Sequence, residues 1–434
     1  MECQELKLDE TQDAAIRACL SDKSLIAVTG AAGTGKTTII KQATEKLNAK
    51  GKHVILSAPT GKAARRITEV TGYPALTVHK LLEFPNPGEV DEKTGKPFNQ
   101  TRPKRHERNP LDYNVIILDE AAMVSRQLYT DLVNAIPLGG RLLMFGDINQ
   151  LPPIEEGYSK FKNKYSPFFD AIYNVLPNGV FEPKGYILTT IHRQGEGSGI
   201  VKNGSNIIKG MFPASYPDFG LIQTKYLIKE LEKKIKDADF KSFDNQIIVP
   251  GHKGYVGTRA LNLLLQDKLN PSWRDNSIAL ARHKYDTRDV LQVSVGDKVI
   301  NNKNQYDLGL NGVMNGETGL VTELTEWGDL VVNFNGELVS IPNEIISEFN
   351  GVTYSYNPQK DIDLAYAITT HKSQGSEYKN VIYLIDRCHA YIIQRNNFYT
   401  AITRAREHVD VIFNSDAMNR ALAKEALSFK GKTK

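Results

Sequence analysis

The chain has 434 residues, 41% hydrophobic and 24% charged, a globular composition whose length suggests about two to four domains at roughly 100–200 residues each. Its 54 basic and 50 acidic residues leave a net charge of +4, which excludes a histone-like grip on a polyanion and leaves room for a local basic groove. Three scattered cysteines, Cys3, Cys19 and Cys388, exclude a disulfide scaffold. No apolar run approaches the ~18 residues of a membrane span, and the acidic start lacks the order of a signal peptide, so a cytoplasmic compartment is expected.

In chain order, Ser24–Gly30 reads as a buried strand, Lys36–Lys50 as a helix, and His53–Ala58 as a second strand with another helix behind it. Asn114–Leu118 and Arg141–Phe145 are two more strands. Continuous apolar strands separated by helices indicate a parallel sheet covered on both faces. Glu83–Asn109 breaks the pattern with Pro, Gly and charge, and clusters Arg102, Lys104, Arg105 and Arg108. It reads either as a solvated loop or as a small hairpin inserted near a polyanion path. Lys225–Phe240 reads as a charged surface helix and Gln246–Val249 as a strand. From Gly296 to Ile341, short alternating pieces such as Thr318–Val321 and Asp329–Phe334 resemble a small barrel inserted in an α/β domain. The α/β pattern resumes at Asp363, with strands at Val381–Ile385 and Val409–Phe413.

Gly30, Ala31, Ala32, Gly33, Thr34, Gly35, Lys36 and Thr37 match G-x-x-x-x-G-K-[ST] between a strand and a helix, and Thr38 follows. The glycines let backbone N–H groups wrap phosphates, and the helix N-terminus favours their charge. Lys36 is expected at the β- and γ-phosphates of ATP and the Thr37 hydroxyl on Mg2+. Asp119 and Glu120 end the strand 115–118. There Asp119 would hold Mg2+ and Glu120 would polarise the attacking water. Transfer of a phosphoryl group also needs positive charge. Arg193 and Arg404 are the candidates, although periodicity alone reads each as a surface arginine. His252, His283 and His389 have no ligand-like company.

The order of the remaining motifs resembles a family. Gln12 precedes the glycine-rich loop, and Ser57–Ala64, Thr77–Lys80, Asp119–Met123, Gly146–Pro153, Ile191–Gln194, Thr370–Glu377 and Tyr399–Ala405 look like helicase motifs Ia, Ib, II, III, IV, V and VI. Together they resemble superfamily 1B DNA helicases of the RecD-like and Dda-like type. The resemblance implies an α/β fold of two RecA-like lobes with a small hairpin insertion (1B) and an SH3-like β-barrel insertion (2B). The implied domains are 1A at 1–82 and 110–192, 1B at 83–109, 2A at 193–302 and 361–434, and 2B at 303–360.

The roles implied by the resemblance are specific. Gln12 would read the adenine edge and Glu377 would touch the nucleotide sugar. Asp147 and Gln150 would sense the nucleotide state, and Arg193 and Arg404 would be arginine fingers from opposite walls of an inter-lobe cleft. Pro59, Thr60, His79, Pro152, Thr370, His371 and Ser373 would contact DNA, largely through phosphates, which position a strand without reading it. Phe98 is the candidate strand-separating residue of the insertion. Leu151-Pro152-Pro153 after motif III, where the 3′→5′ branch carries an aromatic, resembles the 5′→3′ branch. The expectation is an ATP-dependent, monomeric helicase on single-stranded DNA and single-strand/duplex junctions, off the membrane, in a bacterial or phage-infected cell. A single-strand-binding protein or replisome components are the expected protein partners. Two rivals stand beside it: a translocase that displaces bound proteins, and a non-motor ATP-dependent subunit of a larger complex.

Overall fold

In a computed structural model, which describes residues 8–85, 102–153, 166–176, 181–192, 197–236, 239–280, 291–310, 312–349 and 352–424, the first apolar run forms β1 (Leu25–Gly30) between α1 (Glu10–Cys19) and α2 (Lys36–Ala49). The chain continues through β2 (Val54–Ala58), α3 (Gly61–Thr71), β3 (Ala75–Thr77), α4 (Val78–Leu81), β4 (Val115–Leu118), α5 (Arg126–Ala135) and β5 (Arg141–Gly146). Then come α6 (Pro167–Ile172), the hairpin β6 (Tyr173–Val175) and β7 (Phe181–Pro183), β8 (Tyr186–Leu188) and α7 (Gly199–Ile208). Six strands pair in parallel in the order β3-β2-β4-β5-β1-β8.

Why these runs are unbroken in hydrophobicity is visible in their packing. Ile26 and Val28 of β1 face the core under α1–α3, while Ala27 between them faces the core under α4–α6. Val115 and Ile117 of β4 join the first core, and Ile116 and Leu118 the second. A strand buried on both faces has no polar alternate positions. The parallel arrangement also brings the ends of β1, β4 and β5 to one carboxyl edge, where ligands of open α/β sheets bind.

The described residues divide into two compact units, one from Met1–Pro85 with Gln100–Met211 and the other from Phe212–Lys424. The first therefore extends through α7, beyond residue 192. In the second, β9 (Phe219–Gln223), α8 (Leu227–Lys234), β10 (Asn245–Val249) and α9 (Thr258–Leu269) are followed by the paired β11 (Ser277–Leu280) and β12 (Leu291–Ser294). After them come β13 (Lys298–Asn301), β14 (Thr318–Leu324), β15 (Leu330–Phe334), β16 (Glu337–Ile341), the hairpin β17 (Ile345–Phe349) and β18 (Val352–Tyr356), and β19 (Ile362–Leu364). The chain closes with β20 (Ala367–Thr369), α10 (Thr370–Ser373), β21 (Tyr378–Ile385), α11 (Arg395–Ile402), β22 (Ala405–Phe413) and α12 (Ser415–Ala423). A parallel sheet runs β20-β10-β21-β22-β9 and an antiparallel one β16-β15-β14-β13-β19.

The antiparallel sheet draws β13 and β19 from outside 303–360. Its Val321, Leu330, Val332 and Ile341 share one hydrophobic core with Ile247, Leu384 and Ile412 of the parallel sheet. The helix expected over Lys225–Phe240 is shorter, and its Leu227 and Leu231 are buried, so one face packs inward. Among the described residues no helix is long and apolar enough to cross a membrane.

Asp297 ties the second unit together. Its buried carboxylate accepts from Gln266 Nε2 at 2.6 Å and from Asn270 Nδ2, the Ser294 N–H and the Tyr366 hydroxyl at 2.8 Å each. Burial and this carboxylate push the Tyr366 phenol well above its usual range. Four donors around one acceptor are each left unsatisfied when it is removed. Asp297→Ala is expected to cost roughly 2–4 kcal/mol of stability, measured by urea unfolding of the full chain, with Asp297→Asn costing less.

Candidate nucleotide-binding site

The Gly30–Gly35 turn leaves the carboxyl end of β1. Gly33 and Gly35 have φ of 83° and 81°, the left-handed region that a Cβ makes costly. A Cβ on Gly35 would also stand 2.4 Å from Gln12 Nε2. α2 starts at Lys36, so the N–H groups of its first turn, which carries Thr37 and Thr38, have no helical acceptor and face an incoming anion. Lys36 Nζ lies inside the turn, 2.7 Å from the Gly30 carbonyl and 2.9 Å from that of Ala31. The Thr34 hydroxyl donates to the Ala31 carbonyl at 2.9 Å.

Two contacts that sequence reasoning missed clamp this turn from outside. Gln12 Nε2 donates to the Thr34 carbonyl at 3.1 Å, and the His192 N–H to the Gly33 carbonyl at 2.8 Å. Both residues also meet Asp9, the N-cap of α1. The Asp9 N–H donates to Gln12 Oε1 at 3.2 Å, and Asp9 Oδ2 pairs with His192 Nε2 at 2.8 Å. Gln12, expected to read an adenine, is buried in this capping box. The signal available in the sequence was the D-x-x-Q spacing of a helix start. Burial opposes ionisation of Asp9, but hydrogen bonds from Thr11, Gln12 and His192 outweigh it and hold the carboxyl down at about 2. Arg193, the next residue in the chain, lies outside the described residues, as does Phe98.

Across the carboxyl edge, β4 delivers Asp119, whose Oδ1 accepts from the Glu120 N–H at 2.8 Å. Glu120 sits at φ 50°, a left-handed conformation worth roughly 1–3 kcal/mol of strain in a non-glycine residue and common where a side chain must be aimed. Its Oε2 is buried without a hydrogen-bond partner among the described residues. Burial and the Glu120 charge push Asp119 up, to about 6, while Lys36 and Arg66 pull it down. The two crowded carboxylates of Asp119 and Glu120 fit Mg2+, which takes one or two carboxylates and completes its shell with phosphates and water.

The turn after β5 completes this edge. Asp147 is fully buried, its Oδ1 accepting from the Asn149 N–H at 3.0 Å and its carbonyl from the Gln150 N–H at 3.2 Å. Gln150 is buried and Pro152 half-buried. The Ile148 N–H donates to Thr29 Oγ1 of β1 at 3.3 Å, which couples this turn to the strand that carries the glycine-rich loop. Pro59 and Thr60 are half-buried at the end of β2, where Thr60 caps α3 by accepting from the Ala63 N–H. His79 packs on the Phe84 ring with centroids 5.0 Å apart, and burial lowers its pKa against the opposing pull of Asp131.

In the second unit, Thr370 and Ser373 are buried and their hydroxyls are engaged internally. Thr370 donates to the Val249 carbonyl and Asn397 Oδ1, and Ser373 to the Thr370 carbonyl. They brace α10 rather than present hydroxyls at a surface. His371 beside them is half-buried, its pKa lowered by burial and by His252. Glu377 is half-buried at the start of β21. Arg404, read from periodicity as a surface residue, is 3% exposed. Its guanidinium donates to the Thr400 and Ser376 carbonyls at 3.1 and 3.2 Å and to the Thr403 hydroxyl at 3.4 Å. No carboxylate pairs with it among the described residues. The basic cluster at 102–108 is weaker than its sequence, because Arg105 is bound to Glu83 at 2.8 Å and Asp112 at 3.2 Å.

A parallel sheet with a glycine-rich turn after its first strand and an acidic pair at the end of β4 has the arrangement of a P-loop nucleotide-binding unit. Comparison with known proteins agrees: residues 12–156 match the AAA domain family and residues 364–412 the UvrD-like helicase C-terminal domain. The ATP-dependent RecD2 DNA helicase of Deinococcus radiodurans is 30% identical over 94% of this chain and 49% of its own length. The RecBCD enzyme subunit RecD of Buchnera aphidicola is 26% identical over 92% of this chain and 72% of its own. The chain thus spans about half the length of the first relative. A Bacteroides Pif1 helicase in complex with ADP-AlF3 and single-stranded DNA shares the fold, with a TM-score of 0.57 at 22% identity over 96% of this chain and 94% of that one. In sequence the chain is similar to RecD-type helicases, and in fold to a Pif1 helicase.

The Asp9 clamp has a defined pH signature. A carboxyl held below its unfolded value of about 3.8 stabilises the folded state above that value, and the contribution is lost as pH falls through about 2. Asp9→Ala is expected to cost about 1–2 kcal/mol near neutral pH. In urea titrations, the gap between variant and wild type should close from pH 4 to pH 2.

Proposed function

We propose that the chain is an ATP-dependent DNA helicase that moves 5′→3′ on single-stranded DNA and separates duplex at a junction. The observation that carries the reading is Lys36 Nζ held inside the Gly30–Gly35 turn, close enough to Asp119 to lower its pKa. In this reading the loop amides, Lys36 and the α2 N-terminus bind the phosphates of ATP. Glu120, aimed by its left-handed backbone, orients the attacking water. Mg2+ held by Thr37 and Asp119 would neutralise charge on the β- and γ-phosphates. Asp147 and Gln150 couple the nucleotide to β1 and β5.

Arg404 serves as an arginine finger. A buried guanidinium with only neutral acceptors is costly in the absence of an anion, and a γ-phosphate supplies one. Thr60, His79, Pro152 and His371 bear on the DNA backbone, with Thr370 and Ser373 setting the position of His371. Polarity rests on the resemblance and on the Leu151-Pro152-Pro153 sequence. The subunit reading has its own support, since several relatives are named as subunits of the RecBCD enzyme. Gel filtration, with unwinding by the isolated chain, separates the two.

The deciding experiment is unwinding of duplexes that carry one 5′ or one 3′ single-stranded tail. The 5′-tailed substrate should be opened and the 3′-tailed one should not; the reverse result removes the assigned direction. Hydrolysis should be stimulated by single-stranded DNA and fall as salt rises. Lys36→Ala should abolish hydrolysis and unwinding while leaving DNA binding. Arg404→Ala should lower kcat by roughly 10³-fold or more with a much smaller change in ATP affinity, and an equal loss in both would remove it as a finger.

A further inference from the structure

The second unit contains a cavity of about 290 Å3 between α9, β13, β19 and the turn from β20 into α10, apart from the residues assigned to hydrolysis. Its walls include Leu263, Leu364 and Ile368, and its polar groups include Arg259, Asn302 and Lys372. Arg259 and Leu263 are exposed and form its outer rim. Arg259 has no ion-pair partner among the described residues. The opposite character comes from Asp363, whose Oδ2 accepts from Asn302 Nδ2 at 2.9 Å, so that Asn302 presents Oδ1 as an acceptor. The site is held firmly. Lys372 Nζ donates to Asn315 Oδ1 at 2.8 Å, and His252 Nδ1 bonds Thr258 Oγ1 at 2.9 Å where α9 begins.

Apolar walls of this size suit a planar ring system, and the volume lies at the small end of ligand pockets, which run from roughly 300 Å3. A cation on the rim suits a phosphate. A carboxylate and an amide oxygen suit the exocyclic amino group of a base. Ile368 and Thr369, at the carboxyl end of β20, also line the cavity, on the edge of the parallel sheet where ligands of such sheets bind.

We infer that this cavity binds one nucleotide unit with an amino-bearing base, its phosphate at Arg259 and its base edge at Asn302 and Asp363. The unit is either a base turned out of the bound DNA strand or a free mononucleotide. The strand source rests on the helicase reading, and the free source does not.

The test uses the full chain and two probes. Binding of deoxyadenosine monophosphate is measured by calorimetry in a Lys36→Ala background, which silences the phosphate loop. Binding of a single-stranded oligodeoxyadenylate and of an oligothymidylate of equal length is measured by fluorescence anisotropy. Arg259→Ala removes the cation and Ala260→Phe fills the cavity from α9, with urea unfolding as the check on folding. If the strand supplies the base, both variants should weaken oligodeoxyadenylate binding about five- to tenfold, the scale of one stacked base. They should leave oligothymidylate, which lacks the amino group, nearly unchanged. If a free nucleotide is the ligand, both variants should abolish the calorimetric signal and leave both oligonucleotides unchanged. Unchanged binding of every probe in correctly folded variants overturns the site. A wild-type ATPase indifferent to DNA would sink the helicase reading while leaving the mononucleotide measurement valid.

Discussion

A phosphate loop works only if its amide hydrogens face inward, and that requires its carbonyl oxygens to be satisfied elsewhere. Here every such carbonyl named above has a donor. Gly30 and Ala31 take Lys36, Ala31 also takes Thr34, Gly33 takes the His192 backbone, and Thr34 takes Gln12. One of these donors, His192, comes from far along the chain, and it meets Gln12 through Asp9. The loop is therefore preorganised by a bracket that spans the first unit, with glycine at its two left-handed positions, where it carries no steric penalty.

Much of the parallel framework could be read from the sequence, because a strand buried on both faces must be apolar throughout. β1 and β4, and the later residues of β5 and β21, declare themselves this way. The edge strands do not: β3 and β8 have only three residues each, too few for a pattern. The loop and its acidic pair were legible because phosphate chemistry restricts residue type and spacing together. Less legible were roles that depend on burial. Arg404 sits on a periodicity that looks exposed, and only its packing shows a cation enclosed by neutral oxygens. Thr370 and Ser373 had the right chemistry for phosphate contacts, but the fold spends their hydroxyls on α10. His192 acts through partners nearly the whole first unit away, which no local pattern encodes.

The second unit shows a different economy. Its parallel and antiparallel sheets share one core, and Asp297 links α9, the turn before β13 and Tyr366 at a single buried point. Buried polar hubs of this kind are sensitive to any missing partner. Lys298, the next residue and the first of β13, is buried too and donates to the Ser242 and Asn245 carbonyls at 3.1 Å.

The junction at Leu82–Glu83 and Lys104–Arg105 has a consequence of another kind. The Arg105 N–H donates to the Leu82 carbonyl and that of Lys104 to the Glu83 carbonyl, and Arg105 also reaches Glu83 through its side chain. The chain thus leaves and re-enters the first unit at a stem closed by its own bonds. Once the ends are held together, each doubling of the length between them costs only about 0.6 kcal/mol. The stem is a socket: lengthening or shortening what it carries changes the closure entropy little.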